Sequence, residues 1–285
     1  MIDDMLDDPV LSHLLLADEC LLDAKRVEIF KKAIEKAVKP GDLVVDAGTG
    51  TGILALLAAR ARAKKVYALE IDSGLARMTN HSVKKAGYGN VIKVFNCDAR
   101  SFIVPERKPA NVLTMELLDT GLIAEHQASA ILALKENKVI DEKTILIPNR
   151  VVSAIRLLTY DFNFYGFDLP ITIQARNFRA MQNIEDRLSE YVSYHDLDLK
   201  AIKDQAVNAS VEIPVRSAGL ANALELISYT YFMGKRYGPT TDMNMPVIIP
   251  IEPIKVKKSD IIKVDINYEM SKGFSHFFLK VVKKK

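Results

Sequence analysis

The chain has no tryptophan, only two cysteines and no preponderance of charge of either sign. Cys20 and Cys97 stand in no metal-ligand spacing, and His13, His81, His126, His195 and His276 are scattered, so no structural zinc site is expected. The 39 basic residues nearly balance 36 acidic ones, leaving a net charge of +3. That bias is too small to imply a polyanionic partner, and nucleic acid is not expected to be one. The densest basic run, Lys280 to Lys285, reads as a solvated tail. No apolar stretch approaches the roughly 18 residues of a membrane span. Met1 to Asp8 carries four aspartates and no basic residue, unlike a signal peptide. These absences predict a cytoplasmic protein without a membrane partner. Internal repeats and low-complexity tracts are missing as well.

What is present suits an ordinary folded protein. Hydrophobic residues make up 49% of the 285 positions and charged residues 26%, enough for one large or two modest domains. Residues 1–40 read as a helical segment. From Val27 to Val38 the apolar residues Val27, Ile29, Phe30, Ala33, Ile34, Ala37 and Val38 recur at helical spacing. Pro40-Gly41 then stops the helix. Residues 41–150 alternate strands with helices. Leu43-Val44-Val45, Val66 to Leu69, Val91 to Phe95 and Ala110 to Met115 are the strands. Ile53 to Ala63 and 73–87 are helices between them. This order predicts a doubly wound α/β domain with a parallel sheet. Past Ile147-Pro148 the pattern changes. Val151 to Leu158, Leu224 to Met233, Val247 to Ile251, Ile261 to Met270 and Phe277 to Val282 are strand-like, several of them separated by turn signals. Residues 151–285 therefore form a second, mainly antiparallel β domain, with a helical stretch expected at Phe178 to Tyr194.

The first strand runs into Asp46-Ala47-Gly48-Thr49-Gly50-Thr51-Gly52. Glycines permit a sharp turn and close backbone approach, and the following helix N-terminus offers unpaired N–H groups. Dinucleotide enzymes use a similar loop. Two features favour S-adenosylmethionine instead. Asp46 would repel a pyrophosphate but not the cofactor's ammonium group. Glu70 ends the next strand, eighteen residues beyond Gly52, where a carboxylate accepts both ribose hydroxyls. Asp98, with Ala99 beside it, ends the third strand and is placed to accept from the adenine amino group. Asp72 reads as a helix cap. The expected cofactor site is thus Asp46, Gly48, Thr49, Gly50, Gly52, Glu70, Asp98 and Ala99, together with Glu116.

Glu116 ends the fourth strand, which faces the reacting centre in such folds. The Asn/Asp-Pro-Pro-aromatic motif of many base-methylating enzymes is missing there. Instead Glu116 and Glu125 flank a short glycine-containing loop, nine positions apart.

At these positions the chain resembles the protein arginine methyltransferases. Val44 to Leu54 and Val66 to Glu70 are similar to that family's cofactor motif. Glu116 and Glu125 have the spacing of its double-glutamate loop, and Glu116-Leu117-Leu118-Asp119-Thr120 is closest to the monomethylating branch. Ile147 to Arg150 and Tyr165 to Asp168 are similar to the segments that open its β-barrel. The resemblance implies catalytic roles for Glu116 and Glu125, S-adenosylhomocysteine as product, and a protein or peptide acceptor. It also implies a helical arm at residues 171–200 that docks on a second subunit, with Phe178, Met181, Ile184, Leu188 and Tyr191 as its apolar stripe. Three departures stand out. The family's Tyr-Phe-x-x-Tyr element has no counterpart in Met1 to Leu22. Leu21 stands where the family has an arginine for the cofactor's carboxylate, leaving Lys25 or Arg26 as substitutes. Thr241-Asp242-Met243 is the nearest equivalent of a Thr-His-Trp loop. These departures keep open a histidine or small-molecule nitrogen or oxygen acceptor. They also keep open a catalytically silent cofactor-binding scaffold.

Overall fold

The computed structural model describes residues 17–174, 178–237 and 245–284. The N-terminal residues 1–16 and Thr241-Asp242-Met243 lie outside that range. Helix α1 (Ala24–Ala37) opens on Asp23, whose side chain accepts the Arg26 N–H. Its apolar face, with Phe30, Ala33, Ile34 and Ala37, is buried, while its lysines face outward. Strands β1 (Leu43–Ala47), β2 (Lys65–Glu70), β3 (Ile92–Asn96), β4 (Val112–Met115) and β5 (Ile145–Ile147) form one parallel sheet in the order β3-β2-β1-β4-β5. Helices α2 (Ile53–Arg60), α3 (Ser73–Lys85) and α4 (Gln127–Glu136) complete the crossovers. Because side chains alternate across a strand, neighbours enter different cores. Val44 and Ala68 join the cluster around Phe30, Ile34 and Leu57. Val45 and Leu69 join the cluster around Leu113, Leu122 and Ile131. Chain order reverses between β1 and β4, the crevice where ligands bind in such sheets.

The antiparallel part begins at β6 (Arg150–Tyr160). Its seven-stranded sheet is built on β6 and β13 (Gly219–Phe232), with short β14 (Lys235–Tyr237) paired to the end of β13 and β15 (Val247–Val256) on the far side of β13. A second sheet, β12 (Ala206–Pro214), β16 (Ile261–Glu269) and β17 (Phe278–Lys283), is also antiparallel. Leu157, Leu224 and Leu226 of the first sheet share one core with Val207, Ile262 and Val264 of the second. That core is continuous with Leu122, Ile123 and Ile131 of the α/β part. Phe232 also reaches back to Phe30, edge-on with ring centroids 4.8 Å apart. Burying each such side chain contributes about 1.5–3 kcal/mol, so the two parts hold each other in place. Among the described residues no helix is long and apolar enough to cross a membrane.

The expected helical arm is corrected. Among the described residues of 171–200 the one helix is α5 (Phe178–Gln182). The rest is mostly β9 (Ile173–Gln174), β10 (Ile184–Arg187) and β11 (Val192–Asp198). Both β10 and β11 pair with β6, from Ile184↔Tyr160 to Asp198↔Arg150. Edge groups of β6 take their hydrogen bonds, and Leu188 and Tyr194 enter the core instead of forming a helical stripe. Upstream, the hairpin of β7 (Asn163–Phe164) and β8 (Phe167–Asp168) turns through Tyr165 and Gly166, both at positive φ. It leaves Tyr165 99% and Phe167 67% exposed, beside exposed Leu169 and Ile171.

Candidate active site

The carboxyl ends of β1 to β4 converge on a cavity of about 520 Å³. Gly48, Thr49 and Gly50 form its floor, and Glu70, Asp98, Ala99, Glu116 and Glu125 all line it. The glycine loop is fixed by specific bonds. Thr49 N–H donates to Leu69 O at 2.8 Å, and Gly50 N–H donates to Glu70 Oε2 at 2.8 Å. Thr79 Oγ1 donates to Gly50 O at 2.5 Å. Gly48 sits at φ +70°, and a Cβ there would lie 2.6 Å from Leu117 Cδ2. Glycine is therefore required for the loop after β4 to close down on the loop after β1. Glu70 accepts the Gly50 and Asp72 N–H groups, one on each oxygen, which leaves lone pairs for ribose hydroxyls. Asp72 caps α3, as its sequence position predicts, by accepting the Leu75 N–H.

Two of the expected contact residues stand back from the cavity lining. Asp46 does not line the cavity. It lies inside β1, 1% exposed, and accepts the hydroxyls of Thr49 at 2.5 Å and Thr114 at 2.6 Å. Its carboxyl is pushed up to about 6 by burial, against the pull of those hydroxyl bonds. Asp46 thus pins the glycine loop to β1 and β4 from beneath. Gly52 is also outside the lining and stands at the N-cap of α2. A strand residue's side chain direction depends on register, and spacing in the sequence does not reveal it.

Asp98 meets both the backbone and the side chain of Arg100. It accepts the Arg100 N–H at 2.8 Å, capping a single 3₁₀ turn, and meets the Arg100 guanidinium through both oxygens. The Arg100 side chain holds its carboxyl below the usual range.

On the acceptor side, Glu116 follows β4 directly. Its register is set by Gln127, whose Oε1 accepts the Leu117 N–H and whose amide donates to Met115 O. Glu116 forms an ion pair with Arg26, and both side chains are less than 10% exposed, at 9% and 7%. Arg26 also donates from Nη1 to Cys20 O at 2.7 Å. Its Nε is buried without a partner among the described residues. Glu125 enters from the far end of the loop, with His126 next to it at the N-cap of α4. Met245, Val247 and Phe274 of the antiparallel part close the same cavity.

The model for the ribosomal protein L11 methyltransferase family (PrmA) matches residues 29–140. That stretch contains the glycine loop, Glu70, Glu116 and Glu125. An uncharacterized protein, MJ1452 of Methanocaldococcus jannaschii, is 32% identical over 254 residues, covering 89% of this chain and 90% of that protein. The chain belongs to one family with that archaeal protein, and it is an S-adenosylmethionine-dependent methyltransferase. Protein arginine N-methyltransferase 1 of Oryza sativa subsp. indica is 32% identical over 170 residues, 55% of this chain and 43% of that enzyme. The fold agrees with the PRMT1 enzyme-prozyme complex of Trypanosoma brucei, solved with AdoHcy. The TM-score is 0.72 over 94% of this chain and 97% of that one, at 16% identity.

The methyltransferase site fits its cofactor on structural grounds. The loop leaves open space at Gly50, where a Cβ would meet only Ala17, at 3.7 Å. Glu70 retains acceptor capacity, and the orphaned Arg26 Nε offers a donor in the cavity wall. Of the two candidates Lys25 and Arg26, only Arg26 lines the cavity. Arg26 falls on the buried face of α1 and Lys25 on the exposed one. Asp119, which the sequence shows only as part of the Glu116 motif, is held by the loop backbone. It accepts backbone N–H groups from Ile123, Ala124 and Glu125, and burial pushes its carboxyl up to about 7. An aspartate three residues past Glu116 was the available signal, but it looks like any loop aspartate.

Proposed function

We propose that this enzyme methylates a guanidinium nitrogen of an arginine in a protein or peptide. The supporting observation is that Glu116 already holds a buried guanidinium, that of Arg26, in the cavity that Glu125 also lines. When bound, the cofactor supplies an electrophilic methyl on its sulfonium, and transfer requires in-line attack by the acceptor's lone pair. A guanidinium is a delocalised cation and a poor nucleophile. Two carboxylates orient it through charge-assisted bonds and draw its positive charge away from the attacking nitrogen. Asp98 and Ala99 would hold the cofactor's adenine, Glu70 its ribose, and Arg26 its carboxylate, in place of the family arginine that Leu21 replaces. A small-molecule or histidine acceptor is the second reading, favoured by the missing Thr-His-Trp element. The test is incubation with labelled cofactor and an Arg-Gly repeat peptide, followed by hydrolysis. Labelled methylarginine is expected. Label confined to methylhistidine or small molecules selects the second reading, and no transfer to any acceptor leaves a binding scaffold.

The enzyme also acts as a homodimer in this reading. The support is no longer a helical arm but the apolar group Tyr165, Phe167, Leu169 and Ile171, exposed by 99%, 67%, 43% and 57%. Such a patch is unfavourable in water and marks an interface. Light scattering should give twice the 31.8 kDa chain mass, and Phe167→Asp should shift it toward one. A monomer at high concentration rejects this reading.

A further inference from the structure

The loop between the two glutamates is held from two sides, and the sides do different work. From the antiparallel part, Ser228 Oγ accepts the Gly121 N–H at 2.8 Å and the Tyr268 hydroxyl donates to Gly121 O at 2.7 Å. Ser271 N–H donates to Leu122 O at 3.0 Å, and Lys272 and Gly273 N–H donate to Ile123 O at 3.0 and 2.8 Å. Thr120 Oγ1 donates to Met245 O at 2.6 Å. These bonds fix residues 120–123 and stop there. Beyond them the loop is held by Asp119. Its Oδ2 accepts from Ile123 N–H at 3.1 Å and Ala124 N–H at 2.9 Å, and its Oδ1 accepts from Glu125 N–H at 3.3 Å. The Glu125 carboxylate has no hydrogen-bond or ion-pair partner among the described residues, so the position of its backbone decides where it enters the cavity.

We propose that Asp119 is a positioning residue for methyl transfer: by gathering the N–H groups of Ile123, Ala124 and Glu125, it sets the Glu125 carboxylate against the acceptor. This rests on the reading of Glu125 as an acceptor-binding carboxylate. Misplacing a substrate-orienting group by about 1 Å costs on the order of a hundredfold in rate, so a small release of this clamp has a measurable consequence. Asparagine keeps the shape of the side chain. Whichever way its amide turns, however, an N–H₂ group faces backbone donors. The bonds from Ser228, Tyr268 and residues 271–273 remain, so the fold persists.

The experiment measures transfer to an Arg-Gly repeat peptide by wild type, Asp119→Asn, Glu125→Gln and the double variant. Cofactor affinity and melting temperature are measured in parallel. Asp119→Asn is expected to lower kcat at least tenfold while cofactor Kd changes less than twofold. In the Glu125→Gln background the same change should cost less than twofold, because the group it positions is already lost. A purely structural role would instead lower the melting temperature and act equally in both backgrounds, which overturns the proposal. If Glu125→Gln loses transfer but Asp119→Asn keeps it, only the positioning role fails. If Glu125→Gln keeps wild-type transfer, the reading of Glu125 fails and the positioning role with it. Should Asp119→Asn not fold, amide exchange in the wild type decides. Protection of Ala124 and Glu125 equal to that of Gly121 supports the clamp, and exchange at the open-loop rate overturns it.

Discussion

Glu125→Gln should cut methyl transfer to an arginine acceptor at least about thirtyfold, a loss of roughly 2 kcal/mol or more in transition-state stabilisation. The substitution preserves shape but removes one charge and replaces an acceptor oxygen with a donor amide. A cationic guanidinium then loses a charge-assisted partner and meets a group that repels its N–H face. Glu116→Gln should show a loss of at least the same size, with an added complication. Glu116 is paired with buried Arg26, and removing one partner of a buried pair leaves the other charge uncompensated. Its melting temperature should therefore fall, whereas that of Glu125→Gln should hold. Cofactor affinity of Glu125→Gln should stay near wild type, since Gly48 to Gly50 and Glu70 are untouched. Labelled-methyl transfer by variants shown by calorimetry to bind cofactor is the decisive measurement. Wild-type transfer by both would mean that the acceptor is neutral or held elsewhere.

Gly50→Arg should weaken cofactor binding by at least about a hundredfold, close to 3 kcal/mol. Gly50 sits at φ +52°, and its missing Cβ direction opens into the cavity. Any other residue there pays a left-handed backbone penalty of roughly 1 kcal/mol. The larger effect is steric, because an arginine side chain would occupy the space above the loop and could pair with Glu70 or Glu116. Calorimetry with S-adenosylhomocysteine should show micromolar binding to wild type, the usual range for such ligands, and none to the variant. Circular dichroism should show the fold intact. Undiminished affinity in Gly50→Arg, or tight binding of a nicotinamide dinucleotide by wild type, would refute this assignment of the loop.

Much of the α/β part was legible because its signals are local. Val44-Val45 before a glycine run, and alanine- and leucine-rich residues after it, specify strand, turn and helix within about 20 residues. Glu70, Asp98 and Glu116 come together because each lies at or just past the carboxyl end of a strand of the same parallel sheet, and such ends meet at one edge. The antiparallel part was legible only where strands are richly apolar. In β12 the outward positions are Asn208, Ser210 and Glu212, poor strand formers, while Val207 and Ile213 are buried. Its strand state comes from pairing with β16 from Ala206↔Glu269 to Pro214↔Ile261. The stretch from Ile184 to Asp198 was misread for the same reason. Its apolar residues fit a helical period as well as a strand period, and β6 chose between them.

By itself, then, the sequence located the glycine loop and the two glutamates that line one cavity with it. Glycine at positive φ and a carboxylate at a strand end are properties of single residues in short segments. Tertiary structure decided everything that depends on two distant segments meeting. It brought Arg26 to Glu116, ninety positions away, and set Asp46 beneath the loop against the hydroxyls of Thr49 and Thr114. It also set Ser228 and Tyr268 against Gly121, more than one hundred positions away. Buried charges and backbone N–H groups must find partners. Which partner each finds is fixed only when the two sheets close on their shared core.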